Sequence, residues 1–487
     1  MTHFVIGIDI GTTNTKAVAF AMSGEVLASA GTSYSAFTDA GGRHELDPHQ
    51  LTEAVATTLA IVMQRTGKAP AGISFSCAFH SLLAVDGNGK PMMRVMTWAD
   101  LRPAHEAREL KSSEAGHRIY ERTGTPIHAM SPLCKLLWLR NADPLLFHSA
   151  ARFIGIKEYI WWRIFGKYQI DHGMASATGL FDIRRLDWYP ESLTLAGIGR
   201  ERLSVPVPGT HIETARSSRF LELPAGIPFV IGGGDGCLAN LGSGAARPGE
   251  TALTIGTSGA IRMTAASPES DQNGSIFNYI LTANRFTCGG ATNNGGNALK
   301  WLFEKLLGIM NEADWDRMVR AAGEVPAGCD GLIFLPYLQG ERAPVWDAEA
   351  SGVFFGVRSI HDHRHFIRAC MEGISYSLCE IGASLEGTLG PIDHIYATGG
   401  FTRSEIWLQM VADIFLKKVH LTGVTDASAV GAAMLGLQAL GLIGDTDAAA
   451  GMVRVQRTYY PVEAQHVRYR RNYAIFSQLY SRLHDLK

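Results

Sequence analysis

The chain of 487 residues is too long for one hydrophobic core, so its length predicts two domains. A hydrophobic content of 46% with 18% charged residues is typical of a folded globular protein and excludes a disordered one. The net charge of -2 excludes a protein that holds a nucleic-acid backbone by bulk electrostatic attraction.

The composition also bears on location and partners. No apolar run is long enough to span a bilayer, and the first ten residues have neither the basic stretch nor the cleavage site of a signal peptide. The seven cysteines form no C-x-x-C pair, and their neighbours are mostly apolar residues or glycine. We therefore expect reduced, buried thiols in a cytoplasmic protein with no membrane or nucleic-acid partner. The oligomeric state stays open, a homodimer included.

The chain opens with three short predicted strands, at 4–10, 15–21 and 26–34. Tight turns at GTTN and SGE join them, which predicts an antiparallel meander. Asp47 and Pro48 then have the pattern of an N-cap and first helical residue, opening a helix that runs to about Gln64. A buried strand follows at 71–77. Strands followed by alternating helices and strands predict an α/β fold with a mixed sheet.

The first turn carries residues that suit a phosphate. Glycine at Gly11 lets the backbone approach a ligand closely, and the hydroxyls of Thr12 and Thr13 add uncharged donors. Asp9 would repel a phosphate unless a hydrated Mg²⁺ lay between them. Lys16 is near enough in sequence to neutralise a terminal phosphate. The stretch is neither a P-loop nor a dinucleotide-binding G-x-G-x-x-G motif.

A second stretch, TALTIGTSGAIRMT at 251–264, repeats this design. Gly256, Thr257 and Ser258 stand where Gly11, Thr12 and Thr13 stand in the first half. One interpretation is two unrelated hairpins with permissive glycine turns. The other is a pair of related domains, each presenting a Gly-Thr hairpin tip to a shared cleft.

Three further glycine-rich turns are candidates. In FVIGGGDGCLANLGSG, a strand runs into three glycines and Asp235, which is either a helix N-cap or a base that accepts a hydroxyl proton during phosphoryl transfer. In ATGGFTRSEIWLQMVADIF, Gly399 and Gly400 precede a helix that starts near Ser404, so a nucleotide could lie against the backbone. NNGGNALKWL, which contains Asn297, is similar. An ordinary strand-to-helix turn explains the last two equally well.

Together these pieces resemble the FGGY family of carbohydrate kinases, over essentially the whole chain. The run Met130-Ser131-Pro132-Leu133-Cys134-Lys135-Leu136-Leu137-Trp138-Leu139-Arg140-Asn141 is similar to the first family signature, with Ala142 departing from the usual polar residue. The residues GVFFGV at 352–357, with HF at 365–366 and ACME at 369–372, resemble the second signature in spacing.

The resemblance implies an α/β fold of two actin-like ATPase (ribonuclease H-like) domains with mixed sheets around a central cleft. We expect an N-terminal domain at 1–246 with the sugar site and base, and a nucleotide-binding domain at 247–487 whose last helix packs back on it. The implied substrate and cofactors are a sugar, ATP and Mg²⁺. Asp235 is the implied base, with Asp9 and Asp235 near the metal. The implied phosphate and nucleotide contacts are Gly11, Thr12, Thr13, Lys16, Gly256, Thr257, Ser258, Asn297, Gly399 and Gly400.

Within the family, stretches such as DGCLANLGSGA and YLQGERAPVWDAEASGVFFG are most similar to members that act on gluconate. Predicted sugar contacts are His80, Trp98, Asp100 and Arg102, besides Asp235. Arg102 is our choice for the carboxylate of a sugar acid. The alternatives are a core histidine, a core tryptophan and a surface arginine at a helix start.

The predicted function is ATP-dependent phosphorylation of gluconate to 6-phosphogluconate. The first alternative is a kinase for xylulose or another pentulose, since those enzymes share the His80 and Trp98-to-Arg102 neighbourhood. The second is an actin-like ATPase module that acts on no sugar.

Overall fold

The computed structural model describes residues 3–214, 221, 226–271, 274–347, 349–484 and 486. The chain forms two compact units, each made of three chain segments. The first unit comprises Met1–Pro248, Thr264–Cys288 and Asp426–Val453, and the second comprises Gly249–Met263, Gly289–Thr425 and Arg454–Lys487. A division into domains at 246/247 stays a prediction, and each unit is described by itself.

The first unit is built on a mixed six-stranded sheet. Its strands, in order across the sheet, are Ile212–Thr214, Pro228–Gly234, Gly72–Cys77, Phe4–Ile10, Asn14–Ala21 and Val26–Ser33. The last three pair antiparallel, as the meander predicts, and Phe4–Ile10 pairs in parallel with Gly72–Cys77. The central strand is almost wholly buried, which explains why its residues are apolar up to Asp9.

A long helix, Pro48–Thr66, packs beside this sheet. Asp47 is its N-cap and accepts a hydrogen bond from the backbone N–H of His49, as predicted from the Asp-Pro pair. The helix ends two residues beyond the predicted end, because Gly67 adopts a left-handed conformation (φ 62°) that closes it.

Smaller elements complete the first unit. Its short strands are Phe37–Thr38, His44–Leu46, Leu83–Val85, Val95–Met96, Arg152–Ile154, Gln169–Asp171, Phe181–Asp182, Asp187–Trp188, Val205–Val207 and Phe277–Thr282. Its remaining helices are Ala104–Lys111, Glu114–Thr123, Pro132–Ala142, Pro144–Ser149, Ile156–Phe165, His172–Ser176, Pro190–Ala196, Arg200–Arg202 (3₁₀), Asp235–Ser243, Ala427–Ala439 and Thr446–Ala450.

The second unit has a sheet with the same pattern of pairings. Adjacent strands in it are Arg285–Thr292, Gly259–Ala265, Glu250–Ile255, His394–Thr398, Lys418–Leu421 and Arg457–Tyr459. Glu250–Ile255 pairs antiparallel with the strand after its Gly-Thr tip and parallel with His394–Thr398, as Phe4–Ile10 does with its own two neighbours. This shared topology supports related halves over two unrelated hairpins.

Helices cover the second sheet. They are Gly296–Trp301, which continues as a π-turn at Leu302–Leu306, then Glu312–Ala322, His363–Leu389, Gly400–Arg403 (3₁₀), Glu405–Phe415 and Glu463–His484. The second unit also contains two short antiparallel strands, Ile333–Leu335 and Val353–Phe355. The C-terminal helix buries Tyr469, whose hydroxyl accepts a hydrogen bond of 2.6 Å from Arg368 of His363–Leu389.

The cysteines lie mostly in the interior of the protein. Six are buried, Cys379 is partly exposed, and none of the seven forms a disulfide. Across the described ranges, no helix combines the length and apolar character that crossing a bilayer requires.

Candidate active site

The first Gly-Thr tip turns its carbonyl groups into the protein. The backbone N–H of Gly11 donates to the Asn14 carbonyl at 3.0 Å, closing the turn between the first two strands. Tyr34 secures it from behind: its hydroxyl donates to the Gly11 carbonyl at 2.7 Å, and its backbone N–H to the Thr13 carbonyl at 3.0 Å. Thr13 is exposed and Thr12 partly so, which leaves their hydroxyls toward a ligand.

Asp9 lies directly before this tip, within a cluster of charges. The Ser76 hydroxyl donates to Asp9 Oδ1 at 2.7 Å. Burial, followed by the repulsion of the Asp235 carboxylate, raises the pKa of Asp9 to about 7. Lys16 opposes that rise, and its Nζ lies 2.6 Å from Asp426 Oδ1. Asp9 therefore lies near enough to Asp235 for the two carboxylates to repel each other, and Lys16 is ion-paired to Asp426, which the sequence analysis did not identify.

Asp235 is the first residue of the helix Asp235–Ser243, whose N-cap is Gly234. Its interpretation as the N-cap is therefore wrong. The side chain is partly exposed, and Oδ1 accepts the backbone N–H of Gly236 at 2.7 Å. The preceding glycines are required by crowding, since a Cβ at Gly234 would lie 2.0 Å from the Phe79 ring. The Phe79 ring thus packs against the backbone at Gly234, where a side chain would not fit. The strand ends at Gly234, and the partly exposed Asp235 follows it.

A buried ion pair supports the glycine run from below. Lys157 is bonded to Asp171, and Lys157 Nζ also donates to the Gly233 carbonyl at 3.1 Å. Both side chains are almost completely buried, so breaking the pair would leave a buried charge without a partner. The sequence analysis did not identify either residue, since neither belongs to a recognisable motif.

The helix Ala427–Ala439 reaches the first unit from the far end of the sequence. Its backbone packs directly on its neighbours: a Cβ at Gly7 would lie 1.9 Å from the Ala429 carbonyl oxygen, and one at Gly431 would lie 1.9 Å from that of Leu238. Ser428 donates to the Asp235 carbonyl at 3.2 Å. This close packing places Asp426 beside Lys16.

His80, a predicted sugar-binding residue, has a polar group near each ring nitrogen. Its Nδ1 lies 2.8 Å from the Ala177 carbonyl, and because a carbonyl can only accept, Nδ1 carries the proton. Nε2 lies 3.3 Å from the Tyr279 hydroxyl. Trp98 is partly exposed, so its ring remains accessible to a ligand. Tyr279 is a candidate contact that the sequence analysis missed, because it lies 199 positions away in the chain.

Arg102 and Asp100 bind each other. Arg102 donates through Nε and Nη2 to Asp100, and through Nη2 to Glu45 at 2.6 Å. The guanidinium also covers the ring of Trp138 at 4.5 Å. Asp100 is fully buried and accepts the backbone N–H of His44 as well. The Arg102–Asp100 pair stabilises the turn that contains Trp98. Among the described residues, none is bonded to Nη1 of Arg102.

The second unit assembles its own glycine turns in the same way. The carbonyls of Gly256 and Thr257 accept the backbone N–H groups of Gly296 and Asn297, at 2.7 and 3.1 Å respectively. A Cβ at Gly295 would lie 2.5 Å from the Ser258 carbonyl, so this close approach requires glycine. The structure therefore brings the second Gly-Thr tip and the Asn297 loop together.

The third glycine turn joins them. Gly399 has a φ of 95°, and a Cβ there would lie 2.5 Å from the carbonyl oxygen of Ile255, the residue before Gly256. The hydroxyls of Thr254 and Thr398 are 2.8 Å apart across the parallel strands. Three stretches that are far apart in sequence thus converge at one edge of this sheet, because parallel strands end on the same side.

Glu341, another residue that the sequence analysis missed, organises this loop. It is 1% exposed and accepts four hydrogen bonds within the second unit. The donors are the Thr292 hydroxyl (2.5 Å), the backbone N–H groups of Asn293 (2.8 Å) and Arg342 (2.7 Å), and the Asn294 amide (3.1 Å). Burial raises the pKa of Glu341.

A Glu341→Gln variant is expected to lower the free energy of unfolding by about 1–3 kcal/mol and to raise the KM for ATP. The new amide would point N–H groups at two existing donors, leaving them without an acceptor. Denaturant unfolding and steady-state kinetics would measure the two effects. The substitution Glu312→Gln, at an exposed residue, serves as the control. If Glu341→Gln changes neither the free energy of unfolding nor the KM for ATP, Glu341 does not organise the loop.

Within the described residues, no group of three or more His, Cys, Asp or Glu side chains is arranged to hold a metal. Asp9 and Asp235 still suit Mg²⁺, which is commonly bound through one or two carboxylates and keeps several waters. Burial and, second to it, the repulsion of Asp235 raise the pKa of Asp9, and a bound cation would favour the charged carboxylate against both.

Two units with matching mixed sheets, each presenting a Gly-Thr tip, form the two-domain architecture of the actin-like ATPase class. The predicted fold class is confirmed. Two family models match the chain, the N-terminal domain of the FGGY carbohydrate kinases over residues 4–242 and the C-terminal domain over 251–440. The chain belongs to the FGGY family of carbohydrate kinases.

Curated relatives match over nearly their whole length. The gluconokinases of Bacillus subtilis and Bacillus licheniformis are 42% and 40% identical, each over 98% of this chain and 96% of the relative. The xylulose kinase of Bacillus subtilis is 28% identical over 99% of this chain and 98% of its own.

Two solved structures from Lactobacillus acidophilus share the fold. A gluconate kinase superposes with a TM-score of 0.95 and a ligand-bound xylulose kinase with 0.94. Both are 32% identical and cover 99% of this chain and 98% of their own.

Proposed function

We propose that this chain transfers the terminal phosphoryl group of ATP to gluconate, forming 6-phosphogluconate. The sequence identity to gluconokinases, 40–42% against 28% for a xylulose kinase, is the observation that carries the choice of substrate. The solved structures do not discriminate, because the gluconate and xylulose kinases match equally well.

We assign nucleotide binding to the second unit. The proposed contacts are Gly256, Thr257, Ser258, Asn297, Gly399 and Gly400. Their convergence at one sheet edge supports this role, since backbone N–H groups and hydroxyls at glycine turns donate hydrogen bonds to phosphate oxygens without charge repulsion. Thr257 is exposed and Ser258 partly so, which suits hydroxyl contacts to phosphate oxygens.

Gly11, Thr12 and Thr13 of the first unit are the proposed contacts to the transferred phosphoryl group. The carbonyls of Gly11 and Thr13 bind Tyr34, so they do not face a ligand as acceptors. The tip can then offer the hydroxyls of Thr12 and Thr13 to a phosphate. Lys16 would add positive charge from its ion pair with Asp426.

We propose Asp9 and Asp235 as the residues that hold Mg²⁺. The cation would neutralise charge on the β- and γ-phosphate oxygens. Asp9 is held in place by Ser76, so its position does not depend on the ligand.

Asp235 is the proposed base. Its Oδ1 accepts the backbone N–H of Gly236, which helps to fix the orientation of the carboxylate. It would orient the sugar hydroxyl for in-line attack and take its proton late, because the transition state is loose.

His80, Trp98, Asp100 and Arg102 are the proposed sugar-site residues. With Nδ1 protonated, His80 Nε2 is an acceptor that faces the Tyr279 hydroxyl at 3.3 Å, so a sugar hydroxyl would bind Nε2 in place of that hydroxyl, and Trp98 offers an apolar surface. Asp100 is fully buried and binds Arg102, so we propose that it acts on the sugar indirectly, by holding the Arg102 guanidinium in place. Arg102 Nη1 is the proposed partner of the gluconate carboxylate.

A substrate panel tests the proposal. Coupled ADP-release assays on gluconate, xylulose, ribulose and glycerol should give a kcat/KM at least about tenfold higher for gluconate, which corresponds to about 1.4 kcal/mol of discrimination. A higher value for a pentulose would make the chain a pentulose kinase. ATP hydrolysis without a phosphorylated sugar would favour an ATPase module.

We propose that the enzyme works in the cytoplasm, because none of its seven cysteines forms a disulfide and its proposed co-substrate is ATP. A homodimer stays a prediction.

A further inference from the structure

One fully buried lysine is not among the proposed contacts to sugar, nucleotide or metal. Lys135 lies in the first turn of the helix Pro132–Ala142, and its side chain is 0% exposed. It forms no ion pair with a carboxylate among the residues that the structure describes. Its ammonium bonds instead to two backbone carbonyls, those of His80 and Thr97 (2.7 Å).

These two carbonyls belong to the two segments that carry the proposed sugar contacts. His80 supplies the imidazole, and Thr97 directly precedes Trp98. The segments are far apart in sequence, and Lys135 joins them through a single nitrogen.

The His80 backbone needs such a restraint. Its φ of 67° lies in the left-handed region, which is strained for a non-glycine residue and persists only where the surrounding structure imposes it. The bond to its carbonyl fixes the peptide plane after His80. Together with the Nδ1 bond to Ala177, it sets where Nε2 points.

The Thr97 segment is a tight turn. The backbone N–H of Asp100 donates to the Thr97 carbonyl at 3.2 Å, and Lys135 shares that acceptor. The other side of the turn is held by Arg102, which binds Asp100 and Glu45. Trp98 is therefore held from both ends.

We propose that Lys135 is a positioning residue for the sugar, which fixes His80 and Trp98 relative to each other through their backbone. The inference rests on the proposed function. A purely structural role would be filled better by Met or Leu, because burying an ammonium costs several kcal/mol.

The two hydrogen bonds from Lys135 to the carbonyls of His80 and Thr97, which form a brace between these segments, do not require a charged lysine. Burial lowers the pKa of Lys135 to about 7, against the attraction of Asp100. A neutral amine keeps two N–H donors, enough for both carbonyls, so the brace holds on either side of that pH.

A Lys135→Met variant tests the proposal. We expect the KM for gluconate to rise at least tenfold while the KM for ATP stays within twofold. The ratio of ADP released to sugar phosphate formed should also rise above one, because a misplaced hydroxyl lets water compete. KM does not depend on the fraction of folded protein, so partial misfolding would not imitate this result.

The matched control is Leu139→Ala, one turn further along the same helix and equally buried at 3% exposure. It should reduce the thermal stability without changing the KM for gluconate. If both variants raise that KM equally, or if Lys135→Met leaves it unchanged, the positioning role is wrong.

Lys135→Arg decides the question if Lys135→Met yields no folded protein. The larger guanidinium would displace both carbonyls, so a gluconate KM at least threefold higher supports the role and an unchanged KM overturns it. Failure of the proposed function would look different: the wild-type protein would not phosphorylate gluconate. The same variants would then be measured with whichever sugar of the panel it accepts.

Discussion

The Asp235→Asn variant is expected to lose about 10²–10⁴-fold in kcat, the usual contribution of a general base. Asparagine keeps the Oδ1 acceptor that binds the Gly236 N–H, so the helix start should be preserved. It cannot accept the proton of the sugar hydroxyl. A coupled ADP-release assay with saturating gluconate would measure the loss.

The KM for ATP should change far less than kcat in this variant, since most of the proposed nucleotide contacts are in the second unit and Asp9 remains as a carboxylate for Mg²⁺. Asp143→Asn is the matched control, because Asp143 is an N-cap on the surface of the same unit and asparagine caps equally well. Turnover of Asp235→Asn at the wild-type rate would rule out Asp235 as the base.

Asp9→Asn is expected to raise the Mg²⁺ concentration for half-maximal activity at least about tenfold. One of two proposed carboxylate ligands loses its charge, and charge contacts of this kind are worth more than about 1.4 kcal/mol. Asparagine can still accept from Ser76 through Oδ1, so the geometry should survive. Steady-state rates over a Mg²⁺ titration would give the value.

The same substitution should not reduce the stability of the protein. It removes a buried negative charge that lies near Asp235, so the free energy of unfolding should stay equal or increase. Asp86→Asn, in a surface turn whose side chain accepts the Asn88 and Lys90 N–H groups, is the control. A loss of activity that simply follows a loss of stability would argue against a metal ligand.

Local elements were predictable because their signals are local. Asp47 before Pro48 marks a helix start, and a glycine with two hydroxyl residues marks each hairpin tip, so these features needed only adjacent residues. The repeated tip also indicated related halves. The matching pairings of the two sheets bear this out.

Supporting residues were not predictable, because their roles come from contacts between distant segments. Lys157 and Glu341 look like ordinary charged residues in sequence. Their functions appear only when a chain fold places the Gly233 carbonyl or the Asn293 loop against them. Asp426 is the clearest case, since 410 positions separate it from its ion-pair partner Lys16.

The sequence by itself therefore determined the family and the two Gly-Thr tips, and it supplied Asp9 and Asp235 as the proposed acidic residues of the site. These depend on short runs whose backbone conformation and chemistry are set by neighbouring residues. The tertiary structure alone decided which buried charges hold those runs in place: Lys135 under His80 and Thr97, Lys157 under Gly233, and Glu341 under Asn293. The physical reason is that a buried charge needs partners at hydrogen-bond distance, and only folding brings distant backbone carbonyls and amides that close.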